Sequence, residues 1–518
     1  MTKRLLLSII ILMTCAMSSI ADSNTSRIDK SLTIYADVLR QLDINYVDTL
    51  NYDQLLNTSI NAMLQQVDPY TVYIPKSEDA TLRMLTQGKY GGIGSIIMQR
   101  DSDIYISDPY QHMPAEQAGL IAGDKIVSVD GMLCHGLTTQ DVSNKLRGNS
   151  GTTIKIVVER NGELITRNIT RRDINLPAVS YADVLQDTIA YIAFDDFTSN
   201  SAQVLLTHLD KLTQKATIKH LIIDIRGNGG GIIDEAVQLL SFFLPKGTEV
   251  VSTQGKTDRV SHIYATTTSP IFPQLPLTVM VDRNSASASE IVAGALQDLK
   301  RATIVGERTF GKGLVQNIRP IAYDGHLKIT TSKYYLPSGR CIQAIDYAER
   351  QKGNKLHKDT TGGILPDVIL TDSQKLDITY QLYTQHMFFD YATHYRLTHE
   401  SIHQAKDFTL TDKDLHDFCA FLKQRNFVYE TETAKYIKDL VKMAQKEDID
   451  QTIIDELNTL LEHISSDYEQ AIFRNREEVV ALLGAEIVKR YYYQQGYAAY
   501  NLRYDKDLHQ TLDHISKQ

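Results

Sequence analysis

The stretch Asp282-Arg283-Asn284-Ser285-Ala286-Ser287-Ala288-Ser289-Glu290-Ile291-Val292-Ala293-Gly294-Ala295-Leu296 follows the apolar run 277–281. Small residues directly after a buried strand form a tight turn. Beyond it Ile291, Ala295 and Leu299 recur at helical spacing, as do Val292 and Leu296. Ser287 therefore falls at a strand-to-helix turn. Free N–H groups and the positive end of the helix dipole lie there, where a tetrahedral oxyanion could be stabilised. A serine cluster opening a helix is also an ordinary capping arrangement, so this stretch alone does not decide the chemistry.

Working outward, strand and helix alternate. Residues 188–194, 219–226, 277–281, 303–306, 315–320 and 326–335 read as strands, and 201–214 and 234–243 as helices, the first capped by Ser199 or Asn200. Strands separated by helices of this length predict a mainly parallel α/β core. Asp224-Ile225-Arg226-Gly227-Asn228-Gly229-Gly230-Gly231 leaves one of these strands and suits a second oxyanion donor. It is not a dinucleotide loop, because Ile232 stands where the third glycine of that pattern would fall. Gly306-Glu307-Arg308-Thr309-Phe310-Gly311-Lys312-Gly313-Leu314-Val315-Gln316 sets a lysine between glycines in an apolar setting. Alone, such a Gly-Lys-Gly reads as a solvated turn.

Before the core, Gly91-Gly92-Ile93-Gly94 enters the strand Ser95-Ile96-Ile97-Met98, and Gly123-Asp124-Lys125-Ile126-Val127-Ser128-Val129-Asp130-Gly131 follows. With a helix near 139–146 and a strand pair at 153–160 and 164–170, this segment resembles a PDZ domain. Its glycines can turn N–H groups inward as a nest for a C-terminal carboxylate, and the peptide behind that carboxylate would add as a strand. Upstream, Ile34, Val38 and Leu42, then Leu55, Ser59 and Met63, outline two helices, and Asp68-Pro69 stops the second.

The serine turn, the glycine loop and the lysine loop, in this order, resemble the tail-specific, or C-terminal processing, peptidases, a serine–lysine family. The resemblance runs from about residue 30 to 368 and includes Tyr335-Leu336-Pro337-Ser338-Gly339-Arg340 and Gly362-Gly363-Ile364-Leu365-Pro366-Asp367. It implies that Ser287 is the nucleophile, Lys312 the general base and Gln316 the residue positioning the lysine, with the N–H groups of Ala288 and Gly231 as the oxyanion hole. It places substrate-tail contacts at Gly92, Ile93, Gly94 and Arg147, and Arg147 as the link from ligand binding to the active arrangement. As a cation at a helix end, Arg147 also fits a plain surface charge.

The implied fold is α/β. A core like those of crotonase and Clp peptidase carries an inserted β-rich PDZ domain, N-terminal helices and a C-terminal helical region. The expected divisions are 1–21, a signal peptide; 22–87, helical; 88–172, PDZ; 173–373, peptidase core; and 374–518, mainly helical, for packing or homodimerisation. The partners implied are proteins or peptides with free C-termini, and no cofactor or metal is called for.

The chemistry makes its own demand. A free lysine titrates near 10.4, and lowering that by about 3 units costs roughly 4 kcal/mol against the charged form, which desolvation can supply. Phe310, Leu314 and Val315 are the expected pocket walls. Lys312 and Gln316 share a strand face, yet four extended residues span about 13 Å, so their contact requires a bend, which Gly311 and Gly313 permit.

The remaining signals bound the reading. The chain has 518 residues, 42% hydrophobic and 23% charged, with net charge −9 and no basic run carrying aromatics, which argues against nucleic acid. Lys3 and Arg4, the apolar run 5–13 and Ser19-Ile20-Ala21 form a three-part secretory leader, pointing to the periplasm. Cys15 raises lipidation instead, but Thr14 is larger than the residue usual before a lipidated cysteine. Cys134, Cys341 and Cys419 lie far apart and form neither a disulfide framework nor a zinc cluster. His399-Glu400-Ser401-Ile402-His403 matches the zincin motif, but Lys406 and Thr409 stand where a metzincin needs glycine and histidine. Gly148-Asn149-Ser150-Gly151 reads as a turn. A catalytically silent PDZ scaffold is the rival function, disfavoured by intact Ser287, Lys312 and Gln316.

Overall fold

The computed structural model describes residues 25–78, 89–175, 177–257, 261–347, 362–370, 377–465 and 468–517. The expected leader at 1–21, Cys15 and the expected boundary at 374 fall outside these residues. The chain divides into two compact units after Tyr73. In the first, a helix over 25–45 is followed by the helix Tyr52–Gln65, whose cap Asn51 accepts the Gln54 N–H at 3.1 Å. Asp68 ends it by accepting the N–H groups of Tyr70 and Thr71, both at 2.7 Å. Ile34, Val38 and Met63, on the apolar faces read from the sequence, lie exposed.

In the second unit, a six-stranded sheet carries the core. Its order is Val179–Leu185, Ile189–Phe194, His220–Asp224, Leu277–Val281, Thr303–Gly306 and Val368–Ile369. The first strand is antiparallel to the second, and every later pairing is parallel. Each residue of His220–Asp224 and of Leu277–Val281 is buried, as expected where helices cover both faces of a parallel sheet. The helices Ser201–Lys215, Ile233–Ser241 and Ala288–Asp298 close one core with Phe194, Phe197, Tyr334 and Ile364.

The first of these helices is capped at Asn200, one of the two positions expected, but through another acceptor. Asn200 takes the N-cap in the left-handed region, and its side chain caps nothing. The Glu235 carboxylate, from the next helix, accepts the N–H groups of Asn200 at 2.6 Å and Ala202 at 3.0 Å. A second, antiparallel sheet includes Glu249–Gly255, His262–Ala265, Leu314–Pro320 and His326–Tyr335.

A two-stranded ribbon, Lys89–Gly92 against Arg172–Asn175, brackets the PDZ segment. Inside it, Ser95–Arg100, Asp103–Pro109, Lys125–Val129, Thr153–Arg160 and Glu163–Thr170 form a sheet in that order, leaving Ser95–Arg100 at an edge. The helix Thr139–Leu146 starts on a capping box between Thr138 and Asp141 and buries Val142 and Leu146 among Ile104, Ile126 and Ile156.

The C-terminal region is helical, with its own aromatic core around Phe388, Phe418, Tyr391 and Tyr500. Its long helix Arg476–Asn501 is interrupted at Tyr493, whose φ of 54° is not helical. The His399–His403 stretch follows a helix end in irregular chain, so the two histidines do not share the helix face that a zincin needs. Cys134, Cys341 and Cys419 are free thiols.

Candidate active site

The serine turn is built by Asp282, immediately beyond the strand Leu277–Val281. Its Oδ1 accepts the N–H groups of Gly227 at 2.9 Å, Asn284 at 3.0 Å and Ser285 at 2.9 Å. The Ser285 hydroxyl donates to the Ile225 carbonyl at 2.8 Å, and the Ser289 hydroxyl to the Asn228 carbonyl at 2.9 Å. Both serines are fully buried and hold the turn together. Ser287 differs. It is half-buried and its backbone sits at φ 57°, ψ −113°, a strained conformation for any residue but glycine. Such strain costs about 1–3 kcal/mol and persists only where the surroundings impose it. Here Glu290 Oε2 accepts the Ser287 N–H at 2.9 Å, and the Tyr334 hydroxyl meets the Ser287 carbonyl at 3.1 Å.

The glycine loop packs against this turn. Asn228 anchors it with three groups: Nδ2 donates to the Phe194 carbonyl at 2.8 Å, Oδ1 accepts the Gly230 N–H at 2.9 Å, and its carbonyl accepts the Ala286 N–H at 3.0 Å. Gly230, at φ 96°, leaves no room for a side chain, since a Cβ there would lie 2.7 Å from the Ser287 Cβ and 2.5 Å from the Ala286 oxygen. Neither the Gly231 N–H nor the Ala288 N–H meets an acceptor among the described residues. Two unspent donors thus flank Ser287, on the loop and at the helix start.

The lysine loop joins the same construction through Glu290. Its Oε1 accepts from the Thr309 hydroxyl at 2.6 Å and the Gly311 N–H at 2.8 Å, and its Oε2 from the Lys312 N–H at 2.9 Å. Burial pushes the Glu290 carboxyl up, while these donors and the Ser287 N–H pull it down. The Tyr334 hydroxyl also contacts the Lys312 carbonyl. One carboxylate and one phenol therefore fasten Ser287 to Lys312 through their backbones.

Gln316 lies on the strand Leu314–Pro320, just after a register shift between Val315 and Gln316, which supplies a bend in the chain. Its Nε2 donates to the Leu314 carbonyl and to Thr330 Oγ1, both at 3.3 Å. Of the expected pocket walls, Leu314 is buried and Val315 half-buried. Phe310 is 48% exposed, and its N–H is tied to the Ser285 carbonyl.

In the PDZ segment, the Gly94 carbonyl accepts the Tyr110 N–H and the Ile93 carbonyl accepts the Ala115 N–H. Gly92 ends the linking ribbon, opposite Arg172. Arg147 ends the helix Thr139–Leu146 and lays its guanidinium 5.0 Å from the centre of the Tyr90 ring, on the same ribbon. Sequence reasoning passed over Glu290, Asn228, Asp282 and Tyr334. For Glu290 a signal existed: Ser287-Ala288-Ser289-Glu290 has the spacing of a capping box.

The profile of peptidase family S41 matches residues 188–369, that of a PDZ domain residues 105–160, and one described as "Probable PDZ-protease, C-terminal helical domain" residues 378–515. The carboxy-terminal-processing protease of Bartonella bacilliformis is 33% identical over 357 residues, covering 68% of this chain and 78% of that protein. The carboxy-terminal processing protease CtpB of Bacillus subtilis is 30% identical over 334 residues, 64% of this chain and 69% of that one. Among solved structures, a photosystem II D1 C-terminal processing protease aligns with 27% identity and a TM-score of 0.39, over 64% of this chain and 86% of that chain. With its peptidase core, PDZ domain and the extent of the Bartonella likeness, the chain belongs to peptidase family S41, the serine-type C-terminal processing peptidases.

Proposed function

We propose that this peptidase holds substrates by their free C-termini in the PDZ domain and cleaves upstream with a Ser287–Lys312 dyad. Ser287 Oγ attacks the peptide carbonyl and gives its proton to Lys312 Nζ. The oxyanion is received by the N–H groups of Ala288 and Gly231. Lys312 then passes the proton to the leaving amine, and water releases the acyl group by the reverse course. Gln316, whose amide nitrogen is already engaged, has its Oε1 to orient the lysine. The observation that carries this reading is the Glu290 carboxylate, which accepts from the backbones of Ser287 and Lys312 together. An edge strand at Ser95–Arg100 beside the helix Thr139–Leu146 supports strand addition by a peptide.

The test is hydrolysis of one peptide as free acid and as C-terminal amide. The amide should bind about ten- to a hundredfold more weakly, the equivalent of a charge-assisted hydrogen bond of roughly 1.5–3 kcal/mol. Ser287→Ala and Lys312→Ala should abolish turnover and leave peptide binding intact, and Arg147→Ala should lower turnover. Equal cleavage of acid and amide removes tail recognition, and turnover in either dyad variant removes the dyad. Export belongs to the same reading, supported by the leader at 1–21. The mature protein should begin at Asp22, and retention of residues 1–21 or a lipidated Cys15 would replace that assignment.

A further inference from the structure

The last helix, Lys506–Ser516, does not pack in the core of the C-terminal helical region. It lies on the catalytic sheet, where Leu508 and Leu512 meet Ile189, Tyr191, Ile222 and Met280. Its N-cap is Asp505, whose Oδ1 accepts the Leu508 N–H at 2.9 Å. The same carboxylate grips the guanidinium of Arg226, with Nη1 to Oδ1 at 3.1 Å and Nη2 to Oδ2 at 2.5 Å. On its other edge Arg226 is held by Asp224, through Nε at 3.0 and 3.1 Å and Nη2 at 2.5 Å. Asp224 is fixed in turn by the Tyr191 hydroxyl at 2.7 Å. Asp507 stands 3.7 Å from Nη1.

Arg226 is the residue from which the glycine loop departs. Gly227, Gly229, Gly230 and Gly231 offer no side chains by which to hold that loop. Its middle is anchored by Asn228, and its far end by Phe197, whose N–H donates to the Gly230 carbonyl at 3.2 Å and whose carbonyl accepts the Ile232 N–H at 2.8 Å. Its near end is held at two points, by Asp282, which accepts the Gly227 N–H at 2.9 Å, and by the Arg226 clamp. Asp224 grips one edge of the planar guanidinium, and Asp505 grips the edge carrying Nη1. Asp224 pairs with Nε and Nη2 and Asp505 with Nη1 and Nη2, so the two carboxylates together engage all three nitrogens, and each bidentate pair sets the plane as well as the distance.

We propose that Asp505 is a positioning residue for the oxyanion loop, so that the C-terminal helical region supplies a working part of the active site. This rests on the assignment of the Gly231 and Ala288 N–H groups to the oxyanion. A donor displaced by a fraction of an ångström stabilises the transition state less while leaving substrate binding unchanged.

The experiment uses the full chain and a free-acid peptide substrate, with kcat and KM measured separately for Asp505→Asn and Asp505→Glu well below their melting temperatures. Asparagine is as good a helix cap as aspartate, so Asp505→Asn keeps the start of the helix and turns an amide NH2 toward the guanidinium. The expected result is a kcat lower by about 10- to 100-fold with KM within about twofold, and recovery of most of that loss in Asp505→Glu. A kcat unchanged in Asp505→Asn would overturn the proposal. So would a loss confined to KM, or an equal loss in Asp505→Glu and Asp505→Asn, which would mark a merely structural contact. Ser287→Ala serves as the reference. If it is inactive while Asp505→Asn turns over normally, this inference alone falls; if it stays active, the dyad falls first.

Discussion

Glu290 is fully buried, and everything it meets is a donor: three backbone N–H groups and the Thr309 hydroxyl. Geometry of this kind suits a carboxylate, which accepts at both oxygens and has nothing to donate. Glu290→Gln changes little in volume but places an NH2 against at least one of these donors. A buried donor left facing another donor costs about 1–3 kcal/mol. The variant should therefore unfold at lower denaturant, by about that amount. Its loss in kcat should be larger than the stability change explains, because the strained Ser287 and the Lys312 loop share this one anchor. Urea unfolding and steady-state kinetics on one preparation check both parts. A variant less stable but fully active would reduce Glu290 to a packing residue. Ser285 and Ser289 carry the complementary lesson: a serine cluster is mostly scaffold, and here each flanking hydroxyl is committed to a carbonyl.

At the scale of elements, what could be read from the sequence and what could not divide along physical lines. The apolar runs 220–224 and 277–281 are legible because strands buried on both faces need continuous apolar side chains. The turn at 282–287 is legible because small residues between a strand and a helix permit little else. The strand Glu249–Gly255 was missed; Ser252, Thr253 and Gln254 break its alternation, and it is held by pairing with the nearby His262–Ala265 and with Ser332–Tyr335, far along the chain. The N-cap of Ser201–Lys215 falls at Asn200, as read, but the acceptor that serves it is Glu235, which arrives from another helix. Tyr493 interrupts the helix Arg476–Asn501, and its hydroxyl reaches Glu116 in the PDZ domain at 3.1 Å. Phe310 is half exposed although Thr309 and Gly311 beside it are buried, and its N–H is tied to Ser285, far back along the chain. Local pattern identifies which segments carry the candidate site. The carboxylate and phenol that fasten those segments together are long-range facts of the fold.

Across the whole molecule, the C-terminal helical region meets both parts that the proposed mechanism uses. It reaches the PDZ domain through Arg100 and Asp390, paired at 2.6 and 3.0 Å, and through Lys489 and Asp108 at 2.8 Å. These pairs are largely withdrawn from water, so desolvation offsets much of their attraction and they fix orientation more than they add stability. The same region reaches the catalytic sheet through Asp505 and the last helix. Arg100 ends the PDZ edge strand and Arg226 begins the glycine loop, so both binding and chemistry border this region. The central claim, that one serine is the nucleophile and one lysine activates it, is tested most directly by covalent labelling. The protein is treated with a serine-reactive fluorophosphonate, digested, and the modified peptide sequenced by mass spectrometry. The account predicts a single adduct on Ser287, formed at least about a hundredfold more slowly in Lys312→Ala, in line with the worth of general base catalysis. An adduct on Ser285 or Ser289, or undiminished labelling of Ser287 without the lysine, would contradict it.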